Sequence, residues 1–385
     1  MDTPWTAARA AQSGKPAPEA ARRIAAPYPR RDASPPHEIA SQNILAQRLA
    51  ALLGLEWVAD YDPAVRASVG SVYYVPATTL IGPQQAAALG VTGPRDLYGG
   101  VAPYGFVATK AITHPLYGRA RGPKGWSTAF GARVRDTVLR GHTVFSLADA
   151  RRAGAALLLG GPVRVKPARA TAGRGQSLVS HRDELELALE ALDASDLAQC
   201  GLVLEEHLED VRTYSVGCAQ VGETELAYVG TQELTRDNAG EMVYGGSQLL
   251  CVPGGFDALL AADIDPAEHR AVQLARAYDA AALACFPGLY ASRRNYDVAL
   301  GRSAAGAMRM GVLEQSWRFG GASIAEVCAL EAFQADPGLS AVRAYTRERY
   351  GEHQPTDPSA LVYHGHDTEV GLISKYGGIS AYGNP

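Results

Sequence analysis

The apolar positions of this chain fall into short runs that switch between two spacings. Ile44, Leu45, Leu49, Leu52 and Leu53 recur at helical spacing, and Gly54 follows as a stop, which predicts a first helix. The stretch from Val69 to Val75 is apolar and ends at Pro76, so it predicts a strand. Gln84 to Leu89 predicts a short helix, and Gly105 to Thr109 a second strand. Alternation of the two element types over residues 37–125 predicts an open α/β domain. Residues 1–36 are rich in Pro, Ala and Arg and lack periodicity, so they read as a mobile tail.

A second unit, residues 126–206, predicts a helix over Ser127–Leu139 and a short strand at Thr143. Ser146 and Asp149 are spaced to open an Ala/Leu helix, which Gly160 and Gly161 end. A strand from Pro162 to Pro167 follows. Then comes a helix over Ser180–Asp193, with Leu185, Leu189 and Leu192 on one face, and a strand at Leu202–Glu205. A third unit, residues 207–336, predicts strands at Thr213–Ala219 and Leu226–Val229 and a polar, Gly-rich loop over Thr235–Gln248. Its long helix has Asp265 at the N-cap, Pro266 at N1 and Glu268 at N3, and runs to Cys285. Two strands, Asn295–Leu300 and Arg309–Ser316, are joined across Gly301–Ala307 as a hairpin. A last helix starts at Ser323, with Glu326 placed for a capping box. Residues 337–385 carry less pattern and read as a C-terminal extension.

Composition narrows the class. The chain has 385 residues, 47 % hydrophobic and 20 % charged, with 36 basic and 40 acidic residues. A net charge of −4 gives no global reason to expect nucleic acid or an anionic membrane as partner. No apolar run approaches the roughly 18 residues that span a bilayer, and the start lacks the pattern of a secretory signal. Five scattered cysteines without a CxxC pair read as reduced, buried thiols, which places the chain in the cytoplasm.

Chemistry concentrates in four places. If the hairpin turns near Ala305 and Gly306, Asp297 and Glu314 lie opposite each other, and Asn295 and Ser316 share their face. Two facing carboxylates repel unless a proton or a cation sits between them, and such oxygen ligands suit Mg²⁺. Lys166 ends a strand and leads into a loop of small residues with Gly173 and Gly175, able to fold over phosphates. This loop is neither a Walker A nor a dinucleotide fingerprint. The apolar strand Leu202–Leu204 runs into Glu205, Glu206, His207 and Leu208, then Asp210 and Arg212. An extended segment of this kind can present backbone groups to a purine edge, and a following acid can take a ribose hydroxyl. Gly320, Gly321 and the helix start at Ser323 offer an anion site beside Arg318. Arg212 and Arg293 can converge there on a carboxylate.

In this order, over about residues 126–330, the chain resembles the ATP-grasp superfamily. The resemblance implies an N-terminal α/β domain, a small lobe and a larger antiparallel-sheet lobe that together grip ATP. It also implies a ligase that activates a carboxylate as an acyl phosphate for attack by an amine or similar nucleophile. The substrates would be small molecules or peptides. By the same resemblance Lys166 contacts phosphate, and Gly173 and Gly175 form the lid. Glu205 to Leu208 form the adenine linker, and Asp210 takes the ribose. Asp297 and Glu314 hold Mg²⁺, with Ser316 where the superfamily usually keeps asparagine, and Arg318 clamps phosphate or acyl group. The alternatives are an ATP-binding sensor or scaffold without turnover, and a kinase on the same fold. Phe106-Val-Ala-Thr-Lys110, Tyr244-Gly-Gly-Ser247, Arg293-Arg-Asn-Tyr-Asp297 and Leu313-Glu-Gln-Ser-Trp-Arg318 also resemble the hallmarks of an uncharacterised bacterial family related to ATP-grasp.

Overall fold

A computed structural model describes residues 23–30, 34–170, 175–355 and 357–383. Its largest element is an eight-stranded antiparallel sheet. In spatial order the strands are Met308–Ser316, Arg293–Ser303, Leu208–Val221, Thr224–Arg236, Met242–Pro253, Val342–Tyr350, Gly371–Tyr382 and Leu361–Asp367. Side chains alternate across it. Ala227, Val229, Leu250 and Val252 bury against the helix Pro266–Cys285, while Leu226, Tyr228, Leu249 and Cys251 bury against the helix Ser323–Ala335. Two apolar faces need two covers, and the sequence supplies one helix for each.

The long helix starts as predicted. Asp265 Oδ1 accepts from the backbone N–H groups of Ala267 and Glu268, and Glu268 Oε2 accepts from the N–H of Asp265. At Ser323 the expected capping box does not form, because the Glu326 side chain is wholly buried in an ion pair with Arg293.

A smaller four-stranded antiparallel sheet has the order Gly141–Val144, Leu202–Glu206, Val163–Pro167 and Ser177–Val179. Helices Leu147–Leu158 and Arg182–Glu190 pack on it through Ala150, Ala153, Leu157, Leu185 and Leu189. Two three-stranded sheets complete the molecule. One is parallel, with Arg23–Ala26 between Glu56–Trp57 and Ser71–Tyr74; the other joins Leu80–Ile81, Gly100–Ala102 and Tyr290–Ala291.

Several expectations need correction. Residues 23–26, assigned to the N-terminal tail, form a central strand. Gly105–Ala108 is a 3-10 turn rather than a strand. The helix at Ser127 ends at Arg133, because Thr137 and Val138 are drawn off to pair with Val312. The Gly-rich stretch Thr235–Gln248 is the turn end of a hairpin. Residues 337–385 are not an appendage: three of their strands extend the main sheet.

One buried hub joins these parts. Arg293 Nε and Nη2 donate to Glu326 Oε2 and Oε1 at 3.0 and 2.6 Å, and Nη1 donates to the Arg318 carbonyl at 2.6 Å. Tyr98 from the N-terminal domain donates to the same carboxylate, and the Tyr228 hydroxyl lies 2.8 Å from Glu326 Oε1. Removing one member strands a buried charge. Arg293→Met should therefore lower the unfolding free energy by about 3–5 kcal/mol, read from the urea midpoint. A loss below about 1 kcal/mol would show that the hub is dispensable.

Candidate active site

The hairpin places its acids in the predicted register. Asp297 pairs with Glu314 and Asn295 with Ser316, with a bulge just beyond Asp297. Asp297 Oδ1 accepts from Gln232 Nε2 at 2.8 Å and Asn295 Nδ2 at 3.0 Å. Burial, then the Glu314 charge, pushes the Asp297 carboxyl up to about 6. This is the signature of a carboxylate pair lacking enough positive charge, and two hard oxygen ligands fit a divalent cation. Among the described residues no group of three or more His, Cys, Asp or Glu side chains could hold a metal. Asp297 and Glu314 could hold a divalent cation only with further oxygen ligands, such as water, completing its shell. Ser316 faces the same site, but its Oγ already accepts from Arg293 Nη1 at 3.4 Å.

The pair lines one wall of a cleft of ≈ 1070 Å³ between the two larger sheets. Lys166 lines the opposite wall from the small lobe. Its ammonium is paired with Glu205, and Glu205 Oε2 lies 2.9 Å from His114 Nε2. All three side chains are buried. Burial alone would raise the Glu205 carboxyl, but Lys166 and then His114 outweigh it and hold it at about 2. Glu205 thus positions the lysine. Glu206 also lines the cleft, and its Oε1 accepts from the Arg140 N–H at 2.8 Å.

The linker's backbone is partly occupied. The Glu206 and His207 N–H groups donate to the Arg140 and Pro162 carbonyls. The His207 ring is turned to Arg164, at 3.2 Å, while Leu208 lines the cleft.

The remaining predicted residues divide. Arg318 lines the cleft next to Gly320 and Gly321 and donates to the Phe319 carbonyl at 2.7 Å. Gly175 has φ +65, which favours glycine, whereas Gly173 lies outside the described residues. Arg293 reaches the cleft wall, but its guanidinium is engaged by Glu326 and backbone carbonyls, so it braces the site. Arg212 is exposed and sits beside Tyr214 in the field of Asp265 and Glu268, while its neighbours Val211 and Thr213 line the cleft. Strand alternation turns it to the reverse face. Asp210 is exposed at the bulge with φ +50, between the lining residues Leu208 and Val211 but not itself one of them.

In the sequence Lys110 and His114 read more readily as structural residues of the N-terminal domain than as groups lining a substrate cleft. The Lys110 ammonium lies 2.9 Å from Glu314 Oε2 and also donates to the Ala170 carbonyl. The available signal was the run Phe106-Val-Ala-Thr-Lys110, which leads from the N-terminal domain into the cleft.

Two lobes built on antiparallel sheets, with a cleft between them, make this an ATP-grasp fold. The chain belongs to the family described as protein of unknown function DUF3182, whose model matches residues 26–377. It is similar in fold to N5-carboxyaminoimidazole synthetase from Staphylococcus aureus, with a TM-score of 0.53, 11% identity and 93% of each chain covered. The same enzyme complexed with ADP matches at 0.53, 12% identity and 93% of each chain. The N5-carboxyaminoimidazole synthase from Aspergillus clavatus, in complex with ADP and 5-aminoimidazole ribonucleotide, matches at 0.50, 13% and 94% of each. No curated protein matches by sequence. No helix among the described residues is long and apolar enough to cross a membrane.

The raised Asp297 carboxyl has a measurable sign. Its folded value, about 6, exceeds the ordinary 3.8, so the folded state binds the proton more tightly. Stability from this group is therefore present below pH 3.8 and lost as pH rises to about 6. Asp297→Asn should be more stable than wild type at pH 8 without divalent cations, by about 1–2 kcal/mol after allowing for water at the cleft. The gap should close below pH 4. A variant less stable than wild type at pH 8 would contradict this assignment.

Proposed function

We propose that this protein is an ATP- and Mg²⁺-dependent ligase that joins a carboxylate to an amine or similar nucleophile. The observation that carries the reading is the facing arrangement of Lys166 on the small lobe and the Asp297–Glu314 pair on the large sheet, across one cleft. ADP-bound enzymes of the same fold support it.

The chemistry divides among groups already placed. An oxygen of the substrate carboxylate attacks the γ-phosphorus of ATP, and ADP leaves. The amine then attacks the acyl carbon, inorganic phosphate leaves, and the amine nitrogen loses a proton to give the amide. Charge builds on phosphate oxygens during transfer. Lys166 is held rigidly by Glu205 and offers its remaining N–H bonds to those oxygens. Mg²⁺, when bound at Asp297 and Glu314, would neutralise phosphate charge. Arg318 and the helix start at Ser323 face the far end of the cleft and suit an anionic group there. The volume, ≈ 1070 Å³, accommodates a nucleotide and a second substrate together. Those substrates would be small molecules or peptides bearing a carboxylate and an amine.

The test is ADP release with Mg²⁺ across a panel of carboxylic acids combined with amino acids, peptides and polyamines. Turnover should appear with at least one pair. Glu314→Gln should lower kcat about 10²–10³-fold while circular dichroism stays unchanged. Tight ATP binding with no turnover on any pair would favour a nucleotide-binding sensor or scaffold. Full activity in the Glu314 variant would remove that residue from the metal site.

A further inference from the structure

The positive charge at the carboxylate pair is supplied in part by the fold itself. Lys110 arrives on a 3-10 turn, Lys110–Thr113, with its side chain 5 % exposed and Nζ 2.9 Å from Glu314 Oε2. A second bond to the Ala170 carbonyl of the small lobe holds the ammonium in place. Asp297 is met by the neutral amides of Gln232 and Asn295. The nearby guanidinium of Arg293 is matched by Glu326 in a fully buried ion pair. Two carboxylates and one lysine leave a net charge of about −1, which one divalent cation bearing a nucleotide's phosphates satisfies. A second cation would meet an ammonium at Glu314.

We propose that Lys110 is a built-in cation of this site, so that the cleft takes a single divalent ion with its nucleotide. The proposal rests on the nucleotide-and-metal reading above, and it assigns Lys110 a role toward the metal rather than toward packing alone. Lys110 also ties the acid pair to the small lobe, so its departure from Glu314 would free both the carboxylate and the Ala170 carbonyl.

The experiment counts bound Mn²⁺ on the purified full chain by the loss of the free-ion electron paramagnetic resonance signal. It is run with Mn²⁺ alone and again with a saturating non-hydrolysable ATP analogue. With the analogue, wild type and Lys110→Arg should bind one ion per chain, and Lys110→Met two. With Mn²⁺ alone, Lys110→Met should bind about tenfold more tightly than wild type, because the competing ammonium is gone. Two ions on wild type, or one on both wild type and Lys110→Met, would overturn the proposal. So would equal or weaker metal-only affinity in Lys110→Met. The wild-type count stands even where Lys110→Met fails to fold. If the analogue does not bind wild type at all, the ligase reading fails, and the metal-only comparison still decides the role of Lys110.

Discussion

The buried pair of Arg293 and Glu326 is the constraint on which the site depends. Two opposite charges removed from water must satisfy one another, and a guanidinium fork on a carboxylate does this with fixed geometry. Arg293 begins a hairpin strand, and Glu326 lies in the first turn of the helix that covers the cleft side of the sheet. Their contact sets the helix against the hairpin. Tyr228 extends the order outward, because its hydroxyl is also 2.9 Å from Asn295 Oδ1, and Asn295 in turn donates to Asp297. A chain of hydrogen bonds thus runs from the core to a candidate metal acid. The position of Asp297 is fixed from the core outward.

The cleft rests with its lysines already paired, Lys166 with Glu205 and Lys110 with Glu314. Both ammonium groups are almost wholly removed from solvent, so unpaired they would be costly. The acids hold them stationary. A phosphate entering the cleft meets oriented donors instead of flexible side chains, which is the condition for electrostatic preorganisation. His114, itself buried, meets the Glu205 carboxylate of one of these pairs from behind.

Local chemistry made much of this legible in the sequence. The capping box at Asp265 and the stop at Gly54 depend only on near neighbours, and both are present. The hairpin register follows from where its turn lies, so the facing of Asp297 and Glu314 could be read directly. What escaped depends on distant partners. Nothing beside Lys110 in the chain announces Glu314, and nothing beside Arg293 announces that Glu326 will claim it. Arg212 was misplaced because the bulge after Glu209 and the alternation beyond it decide which face a side chain takes. The strand Val342–Tyr350 was hidden by its small inward residues, Ala344 and Thr346, between exposed arginines. Its β character comes from the neighbours it joins rather than from its own hydrophobicity.

The C-terminal strands have a consequence for how the molecule is made. Asp367, near the end, accepts from the His37 backbone N–H at 3.1 Å and pairs with the His37 ring at 2.8 Å. The sheet edge formed by Met242–Pro253 is paired only by the strand Val342–Tyr350, which in turn needs Gly371–Tyr382. During synthesis the first helix and the central strands leave the ribosome long before these partners exist. A nascent chain therefore carries an open edge and an unpinned helix until Val342–Tyr350 and Gly371–Tyr382 have been made. Loss of Gly371–Tyr382 would leave the hairpin motifs in the sequence while stripping Val342–Tyr350 of its outer partner and taking Lys375 and Tyr376 from the cleft.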